Sequence, residues 1–329
     1  MQQLQKLLNS YQGSCVLMCA GELDLFAPMI HASQGLTGEE IAAKARTAPR
    51  GTLVILDSLV ALGVLLKENG RYSIPEKYRQ PLDSSDTNSF IPMIRHAANC
   101  QRHWAQLTWT VKSGAMTPQT PSIHGADADW EAFIQAMNSV SHVLVGPLVE
   151  KMKQAGLLTF KHFLDVGSGP GTYSIALLNA VPNAKATLFD LPDSLKIAKK
   201  RLADANVANR ADFEEGDFYV NDLPTGADFV WLSAIIHQHG REQSRTLYRK
   251  IYAALEPGGR VAVRDFVMNP SRTEPLIGTF FGVNMLANTE TGMVYTFDEI
   301  REDLETAGFT EIEFAIPAED MCSVVVGRK

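Results

Sequence analysis

The sequence predicts an α/β protein, a doubly wound, Rossmann-like sheet preceded by a mainly α-helical domain. Three observations carry this. Strand and helix signals alternate from about Leu157 onward, the first of those strands runs into a glycine-rich turn, and the first hundred residues show helical periodicity with one short hairpin. The implied organisation is a helical domain at 1–100, a helical bridge at 101–157 and the sheet domain at 158–329.

Leu4, Leu7, Leu8, Tyr11, Cys15 and Met18 follow the rhythm of a helix that buries one face. Thr37 with Glu40 three residues later is a capping box that opens a second helix. Pro49 starts a third, running to about Leu62, and Leu65 to Ile74 reads as a hairpin turning at Asn69-Gly70. That order is a winged helix-turn-helix, but from Gly51 to Leu66 the only charged or amide-bearing side chain is Asp57. Base edges are read by polar side chains, so a helix apolar nearly all round predicts burial in a core or a protein interface. Polar groups follow on apolar periods from residue 88 to 157, among them His96, Arg102, His103 and His142, interrupted by a Gly/Pro/Ser-rich stretch at Ser113 to Gly125. Lone histidines of this kind read as surface or satisfied core groups.

In the last domain, strands are expected near 162–167, 185–190, 211–216, 227–232, 259–265, 311–315 and 321–327, with helices between. Ligands of such sheets bind beyond the C-terminal strand ends.

Composition bounds the function. A length of 329 residues, 45% hydrophobic and 20% charged, suits a globular protein of two domains, and a net charge of -7 disfavours a nucleic-acid partner. Cys15, Cys19, Cys100 and Cys322 are too few and scattered for a disulfide framework, and none has Cys or His partners at zinc spacing, so free thiols, no metal and a cytoplasmic location are expected. The N-terminus carries no secretory pattern and the longest apolar run, Leu59 to Leu66, is too short for a bilayer, so no membrane association is expected.

The first strand of the sheet and its turn read Phe163-Leu164-Asp165-Val166-Gly167-Ser168-Gly169-Pro170-Gly171-Thr172. Glycines there let the backbone turn tightly and approach a ligand. Asp190 closes the next strand, 21 positions after Gly169, where a carboxylate can accept ribose hydroxyls. The spacing is G-x-G-x-G, with Thr172 where the dinucleotide fingerprint has its third glycine, which points to a mononucleoside-like cofactor such as the adenosyl group of S-adenosylmethionine. Asp217 and Phe218 at the third strand end suit an adenine amine and ring. His237 stands after the fourth strand, where an imidazole can take a proton from an acceptor hydroxyl, and Asp265 ends the fifth strand, where it can orient that imidazole.

With these motifs and Leu255-Glu256-Pro257-Gly258-Gly259, the chain resembles the S-adenosylmethionine-dependent small-molecule O-methyltransferases over nearly its whole length. The resemblance implies a homodimer held by the N-terminal domain, a small-molecule acceptor, and cofactor contacts from Asp165, Gly167, Gly169, Asp190, Leu191, Asp217, Phe218 and Ser233. It implies His237 as general base with Asp265, and Met137, Met285 and Thr289 lining the acceptor pocket. Two positions depart from the family pattern. His237-Gln238-His239 stands where His-Asp-Trp is common, leaving His239 open as a second candidate base, and Val294 falls where many members carry a glutamate. A non-methylating enzyme on the same scaffold, a hydroxylase or decarboxylase, and a cofactor-sensing regulator are the alternatives.

Overall fold

The computed structural model describes residues 1–86 and 88–329; the side chains of residues 138–140, 142 and 143, including that of His142, lie outside the described residues. In order, the chain forms α1 (Gln2–Asn9), α2 (Tyr11–Glu22), β1 (Leu36–Thr37), α3 (Gly38–Ala45), α4 (Pro49–Ala61), β2 (Leu66–Glu68) and β3 (Arg71–Ser73). Four helices follow: α5 (Glu76–Arg79), α6 (Ile91–Trp104), α7 (Leu107–Ser113) and α8 (Ala126–Gln154). The alternating part begins with β4 (His162–Val166), α9 (Thr172–Ala180), β5 (Lys185–Asp190), α10 (Pro192–Asp204), β6 (Ala211–Glu215) and β7 (Ala227–Ser233). It continues through α11 (Arg241–Ala254), β8 (Leu255–Asp265), β9 (Val267–Met268), α12 (Leu276–Asn288), β10 (Tyr295–Thr296) and α13 (Phe297–Thr306) to β11 (Thr310–Ile316) and β12 (Ser323–Arg328). Two compact units result, residues 1–105 with 118–139 and residues 106–117 with 140–329, so the segment expected as a separate bridge at 101–157 is shared between them.

In the N-terminal unit the Thr37 hydroxyl accepts from the Glu40 amide at 3.2 Å and Glu40 accepts from the Thr37 amide at 2.7 Å, so the capping box starts α3. The hairpin β2–β3 pairs with β1 in an antiparallel sheet ordered β1-β3-β2. Asp57, the one charged residue of α4 after Arg50, binds this hairpin through one oxygen, which accepts from the Tyr72 hydroxyl at 2.7 Å and from Lys67 at 2.6 Å.

One expectation needs correction here. The periodic face of residues 4–18 is broken at Ser10 into two helices, and α1 buries nothing: Leu4, Leu7 and Leu8 are all at least 60% exposed, as is Tyr11 at the start of α2. Helix α4 buries Thr52, Leu56 and Leu59 and leaves Val54 exposed, with Leu62 exposed just after it, so one apolar face is open to an interface. A unit this small offers a helix one packing layer.

The C-terminal unit is built on a seven-stranded sheet ordered β11-β12-β8-β7-β4-β5-β6, in which β6 to β8 run parallel, β12 is antiparallel to β8, and β11, antiparallel to β12, runs in the direction of the others. Both faces are covered, so strand residues are apolar on each side. On β7, Val230 and Leu232 face one core layer with Tyr248, Ile251 and Leu304, while Phe229 and Trp231 face the other with Leu177, Leu188 and Ala198. Among the described residues no helix is long and apolar enough to cross a membrane.

The unpartnered faces of α1 and α4 predict self-association, since exposed contiguous apolar surface marks an interface. Light scattering should give the mass of a dimer for the wild-type chain and a lower mass for Leu7→Glu combined with Leu8→Glu; unchanged mass in the double variant would contradict this.

Candidate active site

Strand β4 ends at Val166, and the turn after it needs glycine at two places. Gly167 (φ 70°) lies so close to Ile235 that a Cβ there would stand 2.6 Å from its Cδ1 and 3.6 Å from Phe218. Gly169 (φ 53°) has nothing within 4 Å of a would-be Cβ, so its hydrogen leaves open space that a side chain would fill. Asp190 clamps the turn: one carboxylate oxygen accepts from the Gly169 amide and the other from the Leu191 amide, each at 2.7 Å. Burial holds Asp190 above the ordinary carboxylate range, against those two amides. Asp165, one residue before the end of β4, is 2% exposed and accepts from the Ser174 hydroxyl at 2.5 Å. Burial pushes its pKa up to about 7, Ser174 opposing the rise and nearby Asp190 adding to it.

At the end of β6, Asp217 closes a tight turn by accepting from the Tyr219 amide at 2.8 Å, which leaves Phe218 facing Gly167. Phe218, Tyr219 and His239 gather in one aromatic group, with centroids 5.1 Å apart for Tyr219 and His239 and 5.8 Å for Phe218 and His239. They line a cavity of about 200 Å³ with Glu242, Gln243 and Leu247.

His237 sits in a single 3-10 turn after β7, 7% exposed, and its Nδ1–H donates to both oxygens of Asp265 at 2.9 Å. Asp265 is 1% exposed, and one of those oxygens also accepts from the Phe266 amide at 2.8 Å. Phe281 stands edge-on to the imidazole at 4.8 Å, and Val294 packs with Phe266 and Met268 in a small apolar cluster. His239 is differently placed. Its Nε2 hydrogen bonds the Tyr219 hydroxyl at 2.7 Å, and burial, then the neighbouring His237, lowers its pKa to about 4.

Ser233, at the end of β7, accepts from Arg264 at 3.2 Å. Met285 is buried on α12, and Thr289 caps that helix, donating to the Met285 carbonyl at 2.7 Å and accepting from the Gly292 amide at 2.9 Å. Thr289 also lines a cavity of about 290 Å³ with Met116, Leu286, Glu290 and Met293. Met137 belongs to the N-terminal unit and is half-buried on α8. The strand-end residues are thus brought together in the C-terminal unit. Tyr219 as the partner of His239, Ser174 on Asp165 and the buried Arg264 carried no sequence signal of their own. Among the described residues no group of three or more His, Cys, Asp or Glu could hold a metal ion.

The donor set fits an adenosyl group: paired carboxylate oxygens at Asp190 for hydroxyls, an aromatic ring at Phe218 for a base, and open space over Gly169.

Comparison with known proteins agrees. The family model described as an O-methyltransferase domain matches residues 99–310, and the model of the O-methyltransferase dimerisation domain matches residues 5–80. The tetracenomycin polyketide synthesis 8-O-methyl transferase TcmO of Streptomyces glaucescens is 30% identical, with 98% of this chain and 95% of that protein covered. The L-tyrosine C(3)-methyltransferase of Streptomyces lavendulae is 28% identical over 91% of this chain and 84% of that protein. The crystal structure of human N-acetylserotonin methyltransferase in complex with SAM superposes with a TM-score of 0.83 at 26% identity, covering 100% of this chain and 97% of that one.

The raised pKa of Asp165 has a pH signature. A carboxyl that holds its proton more tightly folded than unfolded adds stability below about pH 4, and that contribution is lost as the pH rises through about 7. Chemical denaturation between those limits should therefore show the wild type losing stability relative to Asp165→Asn, by up to about 1.4 kcal/mol per pH unit. A difference that stays constant with pH would contradict the assignment.

Proposed function

The chain belongs to the O-methyltransferase family, and we propose that it transfers the methyl group of S-adenosylmethionine to a hydroxyl oxygen of a small aromatic acceptor, with His237 as the general base. The observation that carries this reading is the His237–Asp265 pair at 2.9 Å, set after β7 beside the turn that Asp190 clamps. When bound, the cofactor supplies an electrophilic methyl on a sulfonium.

The residues then divide the work. Asp190 would take the ribose hydroxyls, the turn at Gly167 and Gly169 would admit the ligand close to the backbone, Asp217 and Phe218 would hold the base, and Asp165, Leu191 and Ser233 complete the cofactor side. Asp265 accepts from Nδ1–H, which makes Nε2 of His237 the free acceptor and thus the atom that would take the acceptor's proton. Phe281, itself packed on Phe266, covers one side of that imidazole with apolar surface, which would help exclude water from the proton transfer. With Val294 at the neighbouring position, Asp265 orients the ring without a second carboxylate from that site. His239 has its pKa lowered to about 4 and is already engaged by Tyr219. Within the C-terminal unit, Met285 and Thr289 would line the acceptor side.

Helix α3, helix α4 and the hairpin support a winged-helix reading of the N-terminal unit, used for pairing two copies through the exposed faces of α1 and α4. Free thiols at Cys15, Cys19, Cys100 and Cys322 support a reducing, cytoplasmic setting.

With an accepted phenol in hand, His237→Ala should lower kcat by about 10² to 10⁴ with cofactor affinity nearly unchanged, while His239→Ala does much less. Comparable losses in both variants would move the base away from His237. Mass spectrometry of the product separates a new O-methyl from a ring C-methyl. Asp190→Ala should weaken S-adenosylhomocysteine binding by about 1–3 kcal/mol in calorimetry, and equal affinity in the two proteins would remove Asp190 from the ribose site.

A further inference from the structure

Arg264 is a buried cation without a described acidic partner. It lies on β8, one residue before Asp265, and is 2% exposed. Its Nη1 donates to the Ser233 hydroxyl at 3.2 Å, and its guanidinium lies 5.0 Å from the centre of the Tyr173 ring. Its Nε and Nη2 have no nitrogen or oxygen acceptor, and the other group that meets the guanidinium is the thiol of Cys322. A guanidinium taken out of water is expensive unless an anion or a full set of acceptors meets it, and one hydroxyl, one ring face and a thiol, which is a weak acceptor, do not complete that set. An apolar residue of similar volume would pack at such a position without that penalty.

The unmet donors are not isolated. Trp231, whose ring lies 5.6 Å from that of Tyr173, has a buried Nε1 without a partner, and so has the hydroxyl of Ser168 in the glycine turn. Tyr173 itself opens α9 immediately after that turn. Buried donors therefore collect between the C-terminal ends of β4, β7 and β8 and the first turn of α9, and what they lack is an acceptor.

Strand order indicates which acceptor. Neighbouring strands lie about 4.8 Å apart, and the order β6-β5-β4-β7-β8 places Asp217, Asp190, Asp165, Ser233 and Arg264 in succession along one edge. Asp165, Ser233 and Arg264 share the sheet face of Trp231, because Asp165 and Ala262 are both register partners of Trp231 and Ser233 is the register partner of Arg264. A ligand with its base at Asp217 and its ribose at Asp190 extends its far end over β4 toward β7 and β8. In S-adenosylmethionine that end is an amino acid, a zwitterion. Asp165 does not neutralise Arg264, since its carboxylate is bonded to the Ser174 hydroxyl and, among the described residues, no ion pair joins the two.

Resting on the cofactor reading above, we propose that Arg264 binds the carboxylate of the cofactor's amino-acid end, with Asp165 on the side of its ammonium group. Arg264 is then a binding residue on a strand otherwise known here for Asp265, and the two consecutive side chains serve opposite faces of the sheet: the cofactor tail on one and His237 on the other.

Calorimetry with the full chain tests this, using S-adenosylmethionine and decarboxylated S-adenosylmethionine as paired probes. The wild type should bind the carboxylate-bearing probe about 10- to 100-fold more tightly. Arg264→Met should erase that preference while leaving the affinity for the decarboxylated probe within about twofold, since only the charge-assisted contact is removed. Thermal melting of the ligand-free Arg264→Met chain should give a Tm no lower than that of the wild type, because an uncompensated buried charge has been removed. Equal affinity of the wild type for the two probes overturns the proposal without recourse to any variant. So does an equal loss for both probes in Arg264→Met, or a Tm well below the wild type, each of which makes Arg264 a structural pillar for Tyr173. If the wild type binds neither probe, the cofactor reading falls first, and the two failures stay distinguishable.

Discussion

Parallel pairing of β6, β5, β4, β7 and β8, buried on both faces, forces the chemistry of this chain to one edge. Within the central strands β4 and β7 most side chains meet a core layer, so polar groups collect where the strands end: Asp165 and Asp190, Ser233, and Arg264 with Asp265. The turns that leave those ends carry backbone donors that need acceptors. Asp190 meets that need across the glycine turn, binding the amides of Gly169 and Leu191 with separate oxygens. The same carboxylate thus fixes the turn, and under the proposed function its remaining lone pairs would accept the ribose hydroxyls.

Electrostatics assigns different work to groups of the same kind. Asp165 is buried with one hydroxyl partner and stays near neutrality in its titration, whereas Asp265 is equally buried but meets His237 and the Phe266 amide. The two histidines diverge as well. His237 has its Nδ1 fixed by a carboxylate, while His239 is held by the Tyr219 hydroxyl, with its pKa lowered to about 4. A histidine where the family commonly carries tryptophan therefore acts as part of the aromatic wall beside Phe218.

The sheet was legible because its signals are local: apolar runs bounded by glycine, an acid at a strand end, a capping box at Thr37. All seven expected strands lie within a few residues of those observed. What the sequence leaves open are choices of partner. Periodicity showed that Leu4, Leu7, Leu8 and Tyr11 share a face but not that the face stays exposed in the folded chain. Likewise, the apolar run from Gly51 to Leu66 does not by itself separate a core face from an interface face. Arg264 was missed for the opposite reason: an arginine in a strand reads as a surface residue until neighbouring strands and α9 enclose it. The Tyr219–His239 hydrogen bond joins positions 20 apart across two strand ends, where no spacing rule applies.

Under the proposed function the strand-end residues form one extended cofactor site with His237 beside it. A crystal structure of the full chain with S-adenosylhomocysteine is the decisive experiment. It should show ribose hydroxyls on Asp190, the base against Phe218 and the sulfur end toward His237, with the amino-acid end lying over β4 and β7. A ligand that leaves Asp190 bonded only to the Gly169 and Leu191 amides, or that turns its sulfur end away from His237, would contradict the proposed function.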